Sequence, residues 1–160
     1  MIIILMGVSG SGKTTIGILL AQDLGWDFYD GDDYHPPNNI AKMARGEALT
    51  NEDRQSWLQS LQDLILDRIK QGKQAVIACS ALKESYRSKL YVNHIVQFVY
   101  LMGSFDLIKK RLEHRQRHFM TSDLLASQFA ALEEPLDVLA IDISAKPDEI
   151  VSAIRTAFNI

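Results

Sequence analysis

A glycine-rich segment of eight residues near the amino terminus constrains this chain more than any other feature of its sequence. Residues 7–14 read Gly-Val-Ser-Gly-Ser-Gly-Lys-Thr and fit the pattern G-x-x-x-x-G-K-[ST]. The apolar run 2–6 before it predicts a buried strand, and the spacing of apolar residues over 14–24 predicts a helix that ends at Gly25. A strand, a glycine-rich turn and a helix in this order are the context in which this pattern binds phosphate groups.

The residue types of the segment suit that chemistry. Glycines allow positive φ angles and bring backbone N–H groups close to phosphate oxygens. The start of the helix adds unpaired N–H donors and a partial positive charge. Lys13 can reach the β- and γ-phosphates, and the hydroxyl of Thr14 is placed to bind Mg²⁺. The segment therefore predicts binding of a nucleoside triphosphate, against the alternative of a glycine-rich turn that matches by chance.

Short apolar runs alternate with longer stretches of helical spacing along the rest of the chain. Strands are predicted over 2–6, 75–79, 96–102 and 138–143, with a weaker candidate at 26–29. Helices are predicted over 14–24, 51–71, 83–91, 105–115, 123–133 and 148–158, and Thr50 is expected to cap the second of them. This alternation predicts an α/β protein whose parallel sheet is covered by helices on both faces.

Composition narrows the class of protein further. A length of 160 residues, with 47% hydrophobic residues, suits one globular domain, and a single cysteine, Cys79, excludes an internal disulfide. The net charge of −3 gives no general attraction for nucleic acid or for an anionic membrane, so neither partner is expected. The apolar start is too short for a signal peptide or a membrane anchor, which predicts a cytoplasmic protein.

The phosphate loop alone does not identify a reaction. The chain contains no N-K-x-D guanine reader, and the apolar run 75–79 is followed by Ser80 and not by the carboxylate typical of large ATP-driven machines. The remaining class is a kinase for a small molecule, which needs an acceptor pocket and a lid. Ser80 itself follows a strand, at the sheet edge where open α/β sheets bind ligands.

A cluster of acidic residues follows the weak strand. Asp30, Asp32 and Asp33 place three carboxylates within four residues, which favours a nearby Mg²⁺ ion or a hydroxyl proton. The alternative is a polar loop that caps a helix beginning near Pro36. His35 either contacts the substrate or is a loop histidine held by backbone hydrogen bonds.

Several motifs together resemble the gluconokinases of the shikimate kinase-like group. The motifs are Asp30-Gly31-Asp32-x-x-His35-Pro36, Cys79-Ser80-Ala81-Leu82-Lys83-x-x-Tyr86-Arg87, Arg111-x-x-x-Arg115-x-x-His118-Phe119-Met120 and Leu124-Leu125-x-Ser127-Gln128-Phe129. With the phosphate loop they cover essentially the whole chain in order.

The resemblance implies transfer of the γ-phosphoryl group of ATP, with Mg²⁺, to the 6-hydroxyl of D-gluconate. It also implies one three-layer P-loop kinase domain over 1–160, a parallel sheet in the order 2-3-1-4-5, and a mobile lid at about 111–125. Members of this family are often homodimers.

The resemblance also implies roles for individual residues. Lys13, Asp32 and Arg115 are expected to act in catalysis, with Asp32 orienting the acceptor hydroxyl, and Thr14 to bind the metal. The residues expected to contact the nucleotide are Gly7, Val8, Ser9, Gly10, Ser11, Gly12, Lys13, Thr14, Thr15, Arg111 and Arg115. The residues expected to contact gluconate are Asp32, His35, Arg54, Ser80, Arg87 and His118.

Some of these assignments keep an alternative. Arg54 either binds the substrate carboxylate or forms an ion pair with Asp53 or Asp33, and Arg87 is a substrate contact or a surface charge. His118 contacts substrate or nucleotide, or belongs to the hinge of the lid. The chain departs from the family pattern at Asn51, where Asp is frequent, and at Arg117, where glycine is usual.

Other functions also stay open at this point. The competing hypotheses are a kinase for another sugar acid, shikimate or a nucleoside monophosphate, and a non-catalytic nucleotide-binding module. The basic segment 109–117 leaves a nucleic-acid-binding protein as a third reading, although the acidic balance of the chain opposes it.

Overall fold

The computed structural model describes residues 1–115 and 121–160 of the chain. Its five strands are β1 (Ile2–Met6), β2 (Asp27–Asp30), β3 (Ala75–Ala78), β4 (Val96–Met102) and β5 (Leu139–Asp142). Its helices are α1 (Lys13–Leu24), α2 (Pro37–Ala44), α3 (Asn51–Lys70), α4 (Glu84–Leu90), α5 (Phe105–Glu113), α6 (Ser122–Ala131) and α7 (Pro147–Phe158), with a 3₁₀ turn at Gly31–Tyr34.

The strands form one parallel sheet in the order β2-β3-β1-β4-β5, which confirms the predicted topology. The central strand β1 pairs with β3 on one side and with β4 on the other. All five of its residues are buried, as expected for a strand covered by helices on both faces.

The two faces of the sheet carry separate cores because successive side chains of a strand point in opposite directions. Ile3 and Leu5 of β1 pack with residues of α1, α5, α6 and α7 on one face. Ile2, Ile4 and Met6 pack with residues of α3 and α4 on the other. The continuous apolar run of the sequence is thus explained by burial on both sides.

Two capping predictions are confirmed. Gly25 ends α1 with a φ of 67°, and Thr50 caps α3 by accepting a hydrogen bond from the backbone N–H of Asp53. The predicted elements otherwise agree with the structure to within a few residues at their ends. The helix α2 begins at Pro37, close to the start considered in the alternative interpretation of the acidic loop.

No helix within 1–115 or 121–160 combines the length and the apolar character needed to cross a membrane. The predicted lid segment 111–125 includes the end of α5 and the start of α6. Residues 116–120 of that segment lie outside the described residues, and its mobility stays a prediction.

Candidate active site

A cavity of about 600 Å³ opens at the carboxyl ends of β1, β2 and β3, the edge at which open α/β sheets bind ligands. The predicted site residues that line it are Ser9, Gly10, Gly12, Lys13, Thr14, Thr15, Asp32, His35, Arg54, Ser80 and Arg115. A larger, more open groove of about 960 Å³ lies between α1 and α7, and it contains none of the predicted site residues that the structure describes. The site is therefore assigned to the first cavity.

The phosphate loop forms one wall of the cavity. Gly7, Gly10 and Gly12 have φ angles of 145°, 81° and 96°, a region of backbone conformation that favours glycine. A Cβ atom at Gly7 would lie 2.9 Å from the carbonyl oxygen of Leu101, so the loop also packs too closely for a side chain there. The hydroxyl of Ser11 is buried and has no hydrogen-bond partner in the described part of the chain. A loop of this shape, with a spare buried hydroxyl, fits an anionic ligand.

Lys13 lies folded back over this loop. Its Nζ donates to the carbonyl oxygens of Gly7 and Val8, both at 2.9 Å. Burial lowers the pKa of Lys13, and the negative charge of Asp32 opposes that shift. The ammonium group is thus held at the loop by two carbonyls that a phosphate oxygen could replace.

Asp30, which was not singled out among the predicted contacts, connects the phosphate loop to the acidic turn. Its Oδ2 accepts from the hydroxyl of Thr14 at 2.8 Å, and its Oδ1 accepts from the backbone N–H of Asp32 at 3.0 Å. A hydroxyl beside a carboxylate supplies the hard oxygen ligands that Mg²⁺ prefers. No group of three or more His, Cys, Asp or Glu side chains suited to a metal occurs among the described residues.

The carboxylate of Asp32 faces the open cavity, with 79% of the side-chain surface accessible. The surrounding walls of the cavity nevertheless desolvate it and raise its pKa, while the nearby charge of Lys13 works in the opposite direction. Asp32 is therefore an accessible carboxylate that lies close enough to the phosphate loop to interact with the charge of Lys13.

His35 is buried beside Asp32, and its ring stacks on Trp57 with 4.4 Å between ring centroids and an interplanar angle of 11°. Burial lowers the pKa of His35 to about 4, and the positive charge of Arg54 adds to the shift. The Nδ1 atom lies within hydrogen-bond distance of Nδ2 of Asn39, at 3.2 Å, and Nε2 lies 3.9 Å from Oδ1 of Asp32. His35 is therefore a neutral ring that Trp57 and Asn39 contact, while its backbone N–H donates to the carbonyl of Asp32.

Arg54 projects from the first turns of α3 into the cavity. It donates to the carbonyl of Leu49, and its guanidinium lies 5.7 Å from the centre of the Tyr86 ring. Asp53 pairs instead with Lys42 at 2.8 Å. Within the described ranges, no carboxylate comes within 4.0 Å of the Arg54 guanidinium. Arg54 thus has no ion-pair partner among the residues that the structure describes, and it lines the cavity.

The structure does not bring Arg87 and Arg111 into the lining of this cavity. Arg87 is buried and donates to the carbonyls of Ala81, Leu82 and Glu133 and to the carboxylate of Glu84. Arg111 donates to the carbonyl of Ile143, beyond the end of β5. His118, which was also predicted to contact the substrate, lies outside the described residues.

Sequence reasoning missed further residues of the site. Gln128 of α6 contacts the phosphate loop, because its Oε1 accepts from the backbone N–H of Ser9 at 2.7 Å. Asn39 holds His35, and an apolar wall completes the cavity. That wall consists of Ile40, Met43, Ala44, Ala48 and Leu49. Both residues lie in segments that match the family pattern, Asn39 in Asn39-Ile40-x-Lys42-Met43 and Gln128 in Leu124-Leu125-x-Ser127-Gln128-Phe129, and could have been found there.

Comparison with known proteins agrees with this geometry. The family model described as shikimate kinase matches residues 9–156. The chain is 43% identical over 157 residues to the thermoresistant gluconokinase of Escherichia coli (strain K12), covering 95% of this chain and 90% of that protein. It is 42% identical over 161 residues to a gluconokinase of Gluconobacter oxydans (strain 621H), covering 98% and 90%.

Solved structures show the same relationship. A gluconokinase from Sinorhizobium meliloti 1021 superposes with a TM-score of 0.86 at 40% identity, covering 98% of this chain and 93% of that one. A shikimate kinase from Aquifex aeolicus superposes with a TM-score of 0.67 at 18% identity, covering 99% and 96%, and shares the fold.

Proposed function

Because this chain belongs to the gluconokinases of the shikimate kinase family, we propose that it transfers the γ-phosphoryl group of ATP to the 6-hydroxyl of D-gluconate. The products are 6-phospho-D-gluconate and ADP. One observation carries the proposal: a single cavity has the phosphate loop on one wall and Asp32, His35 and Arg54 on the other. A phosphate donor and a polyhydroxy acid can therefore meet within it.

On the donor side, backbone N–H groups of residues 7–14 and the ammonium of Lys13 neutralise the β- and γ-phosphates. Thr14, with Asp30 beside it, would hold Mg²⁺. When bound, the ion supplies positive charge to the phosphate oxygens and helps to orient them. Arg115 lines the same cavity and adds charge at the transferring group, a contribution that is worth about 10³ or more in rate in related systems.

On the acceptor side, Asp32 takes or orients the proton of the attacking hydroxyl, since its carboxylate is accessible and lies near the charge of Lys13. Arg54 binds the substrate carboxylate, because its charge has no ion-pair partner in the described part of the chain. His35 and Ser80 form hydrogen bonds with hydroxyl groups of gluconate. The chain aligns the two substrates and supplies charge, and closure of the lid over 111–125, including His118, excludes water.

We also propose Mg²⁺ as the metal, the cytoplasm as the location and a homodimer as the assembly of this single-domain enzyme. The Thr14–Asp30 pair supports the metal, and the family resemblance supports the assembly. Arg87 and Arg111 would have to leave their present carbonyl partners to contact a ligand, so we propose that they position the loops around the site.

The test is an ADP-release assay with ATP, Mg²⁺ and a panel of acceptors. D-gluconate should support turnover, and shikimate, a nucleoside monophosphate and D-glucose, which lacks the carboxylate, should support little. Phosphorus NMR of the product should identify a phosphate ester at carbon 6. Release of ADP that does not depend on gluconate, or that depends on another acceptor, would refute the proposal.

A further inference from the structure

We propose that Asn39 is a positioning residue that holds His35 in the tautomer with its proton on Nε2, so that His35 and Asp32 bind one substrate hydroxyl between them. His35 donates to the oxygen of this hydroxyl, and Asp32 accepts its proton. The inference rests on the proposed function for the identity of the hydroxyl. The tautomer itself follows from the contacts of the free protein.

The orientation of the Asn39 amide is set by a group that can only accept. Asn39 is 2% exposed, and its Nδ2 lies 2.6 Å from the backbone carbonyl oxygen of Asp53. The opposite orientation of the amide would place two acceptor oxygens against each other in a buried site, which is costly. The NH₂ group therefore faces Asp53.

The same NH₂ group then determines the protonation of the histidine ring. Its second hydrogen points to Nδ1 of His35 at 3.2 Å, and Nδ1 can accept only when it carries no proton. Burial keeps the ring neutral at physiological pH, with a pKa of about 4. A neutral ring whose Nδ1 accepts must carry its one proton on Nε2.

The position of Nε2 suits a shared hydroxyl. It lies 3.9 Å from Oδ1 of Asp32, which is too long for a direct hydrogen bond. An oxygen atom at ordinary distances of about 2.9 Å from the nitrogen and about 2.7 Å from the carboxylate fits across this gap. A hydroxyl group is the chemical class that can accept from one side and donate to the other.

The ring and the amide are both held firmly. Stacking on Trp57 fixes the plane of the His35 ring, with an interplanar angle of 11°. Lys42, one turn after Asn39 on α2, pairs with the carboxylate of Asp53 at 2.8 Å. Asn39 and Lys42 of α2 thus both form hydrogen bonds with Asp53 at the start of α3. A rotation of the Asn39 side chain would break its bond to the Asp53 carbonyl.

The experiment compares Asn39→Asp with Asn38→Asp, an exposed neighbour that undergoes the same chemical change. An aspartate at position 39 accepts where the amide donates, so the proton should move to Nδ1 of His35. Nitrogen-15 NMR of the four histidines reads the tautomer directly in the free protein, and His35→Gln identifies the signal. The wild type and Asn38→Asp should show the proton on Nε2, and Asn39→Asp should show it on Nδ1.

Kinetics provide the second readout. Asn39→Asp should lower kcat/KM for gluconate by at least about tenfold, since one aligned hydrogen bond is lost, while KM for ATP stays within about twofold. Asn38→Asp should change neither. If Asn39→Asp fails to fold, Asn39→Ala removes the donor without adding charge and should populate both tautomers.

The outcomes separate the two proposals. A wild-type His35 with its proton on Nδ1 overturns the inference, as does an Asn39→Asp enzyme with normal kcat/KM for gluconate. If the wild type phosphorylates a different acceptor, the proposed function fails. The NMR result still decides the tautomer of His35 in that case, and the kinetic comparison is made with the acceptor that is used. If no acceptor is phosphorylated, the hydroxyl-binding part of the inference falls with the function.

Discussion

The indole N–H of Trp57 donates to the backbone carbonyl of Gly31 across 2.7 Å, and both residues are buried. This hydrogen bond joins α3 to the 3₁₀ turn that carries Asp32. The same indole stacks on His35, so Trp57 supports both the turn that carries Asp32 and the ring of His35. Gly31 has no room for a Cβ atom, which would lie 2.5 Å from the carbonyl oxygen of Ala78. The turn is therefore held between β3 and α3.

Replacing Trp57 by Phe tests this support. The ring remains, but the buried carbonyl of Gly31 loses its donor, so we expect a loss of about 1–3 kcal/mol in the free energy of unfolding. Urea denaturation measures it. Trp26→Phe, at the other tryptophan of the chain, which is only partly buried, should cost less. Equal stability of Trp57→Phe and wild type would show that the hydrogen bond contributes little.

Asp32→Asn tests the group assigned to the acceptor proton. General-base catalysis typically contributes about 10²–10⁴ in rate, so kcat should fall by that order while KM for ATP changes little. Asp33→Asn is the matched control, since Asp33 is exposed and does not line the cavity among the described residues. A near-normal kcat for Asp32→Asn would remove this residue from the proposed role.

The pH profile gives a second test of Asp32. The reacting form is the carboxylate, so activity should fall as the pH drops through its pKa. Desolvation raises that pKa above the ordinary 3.8 in the free protein, and the acid limb of kcat/KM for gluconate should therefore lie above pH 3.8 in the wild type. The measurement is kcat/KM for gluconate against pH at saturating ATP. An acid limb below pH 3.8 would contradict the assignment.

Arg54→Gln tests recognition of the substrate carboxylate. A hydrogen bond to a charged group is worth about 1.5–3 kcal/mol, which corresponds to a rise of about 10–100-fold in KM for gluconate. The effect on kcat should be smaller. Arg68→Gln removes the same charge near the far end of α3 and should leave KM for gluconate unchanged. Similar gluconate KM values in both variants would speak against the contact.

Lys13→Met tests the phosphate loop, because it keeps the length of the side chain and removes its charge. Loss of one preorganised group that stabilises transition-state charge typically lowers kcat by about 10²–10³, and we expect at least this reduction in ADP release. Lys110→Met, at an exposed position on α5, serves as the control. Residual turnover close to that of the wild type would exclude Lys13 from charge neutralisation.

Asp53→Asn tests the start of α3 as a pH-dependent contribution to stability. Hydrogen bonds from Lys42 and from the backbone of Thr50 lower the pKa of Asp53 from 3.8 to about 2. A lowered pKa means that the carboxylate stabilises the fold fully above pH 3.8 and that this contribution is lost as the pH falls toward 2. The variant should be less stable than wild type at pH 7, and the difference should shrink at pH 3.

Urea denaturation at several pH values measures this difference. Glu52→Gln changes an exposed carboxylate in the same turn of α3 and serves as the control. A stability difference that stays constant down to pH 2 would contradict the linkage.

Much of the donor half of the site could be predicted because it is local in sequence. The strand, the glycine turn, Lys13 and Thr14 lie within thirteen consecutive residues, 2–14, and their geometry follows from glycine backbone freedom and from the start of a helix. The strand pattern predicted a parallel sheet, and the family resemblance predicted the order of its strands, which the structure confirms.

The acceptor half was predicted less completely because its contacts join distant parts of the chain. The bond from Trp57 to Gly31 spans 26 residues, and the bond from Asn39 to Asp53 spans 14. Arg87 looked like a candidate substrate contact, yet its donors are engaged by backbone carbonyls and by Glu84. Neither periodicity nor spacing encodes which distant carbonyl a side chain will meet.

The amino-acid sequence alone determined the phosphate loop and the class of fold, since short-range backbone preferences and the alternation of apolar runs set both. Only the tertiary structure decided that Asn39 faces His35, that Asp30 joins Thr14 to the acidic turn, and that Arg54 lines the cavity. The physical reason is that these contacts form when α2 and α3 pack beside the sheet, and packing depends on the whole chain.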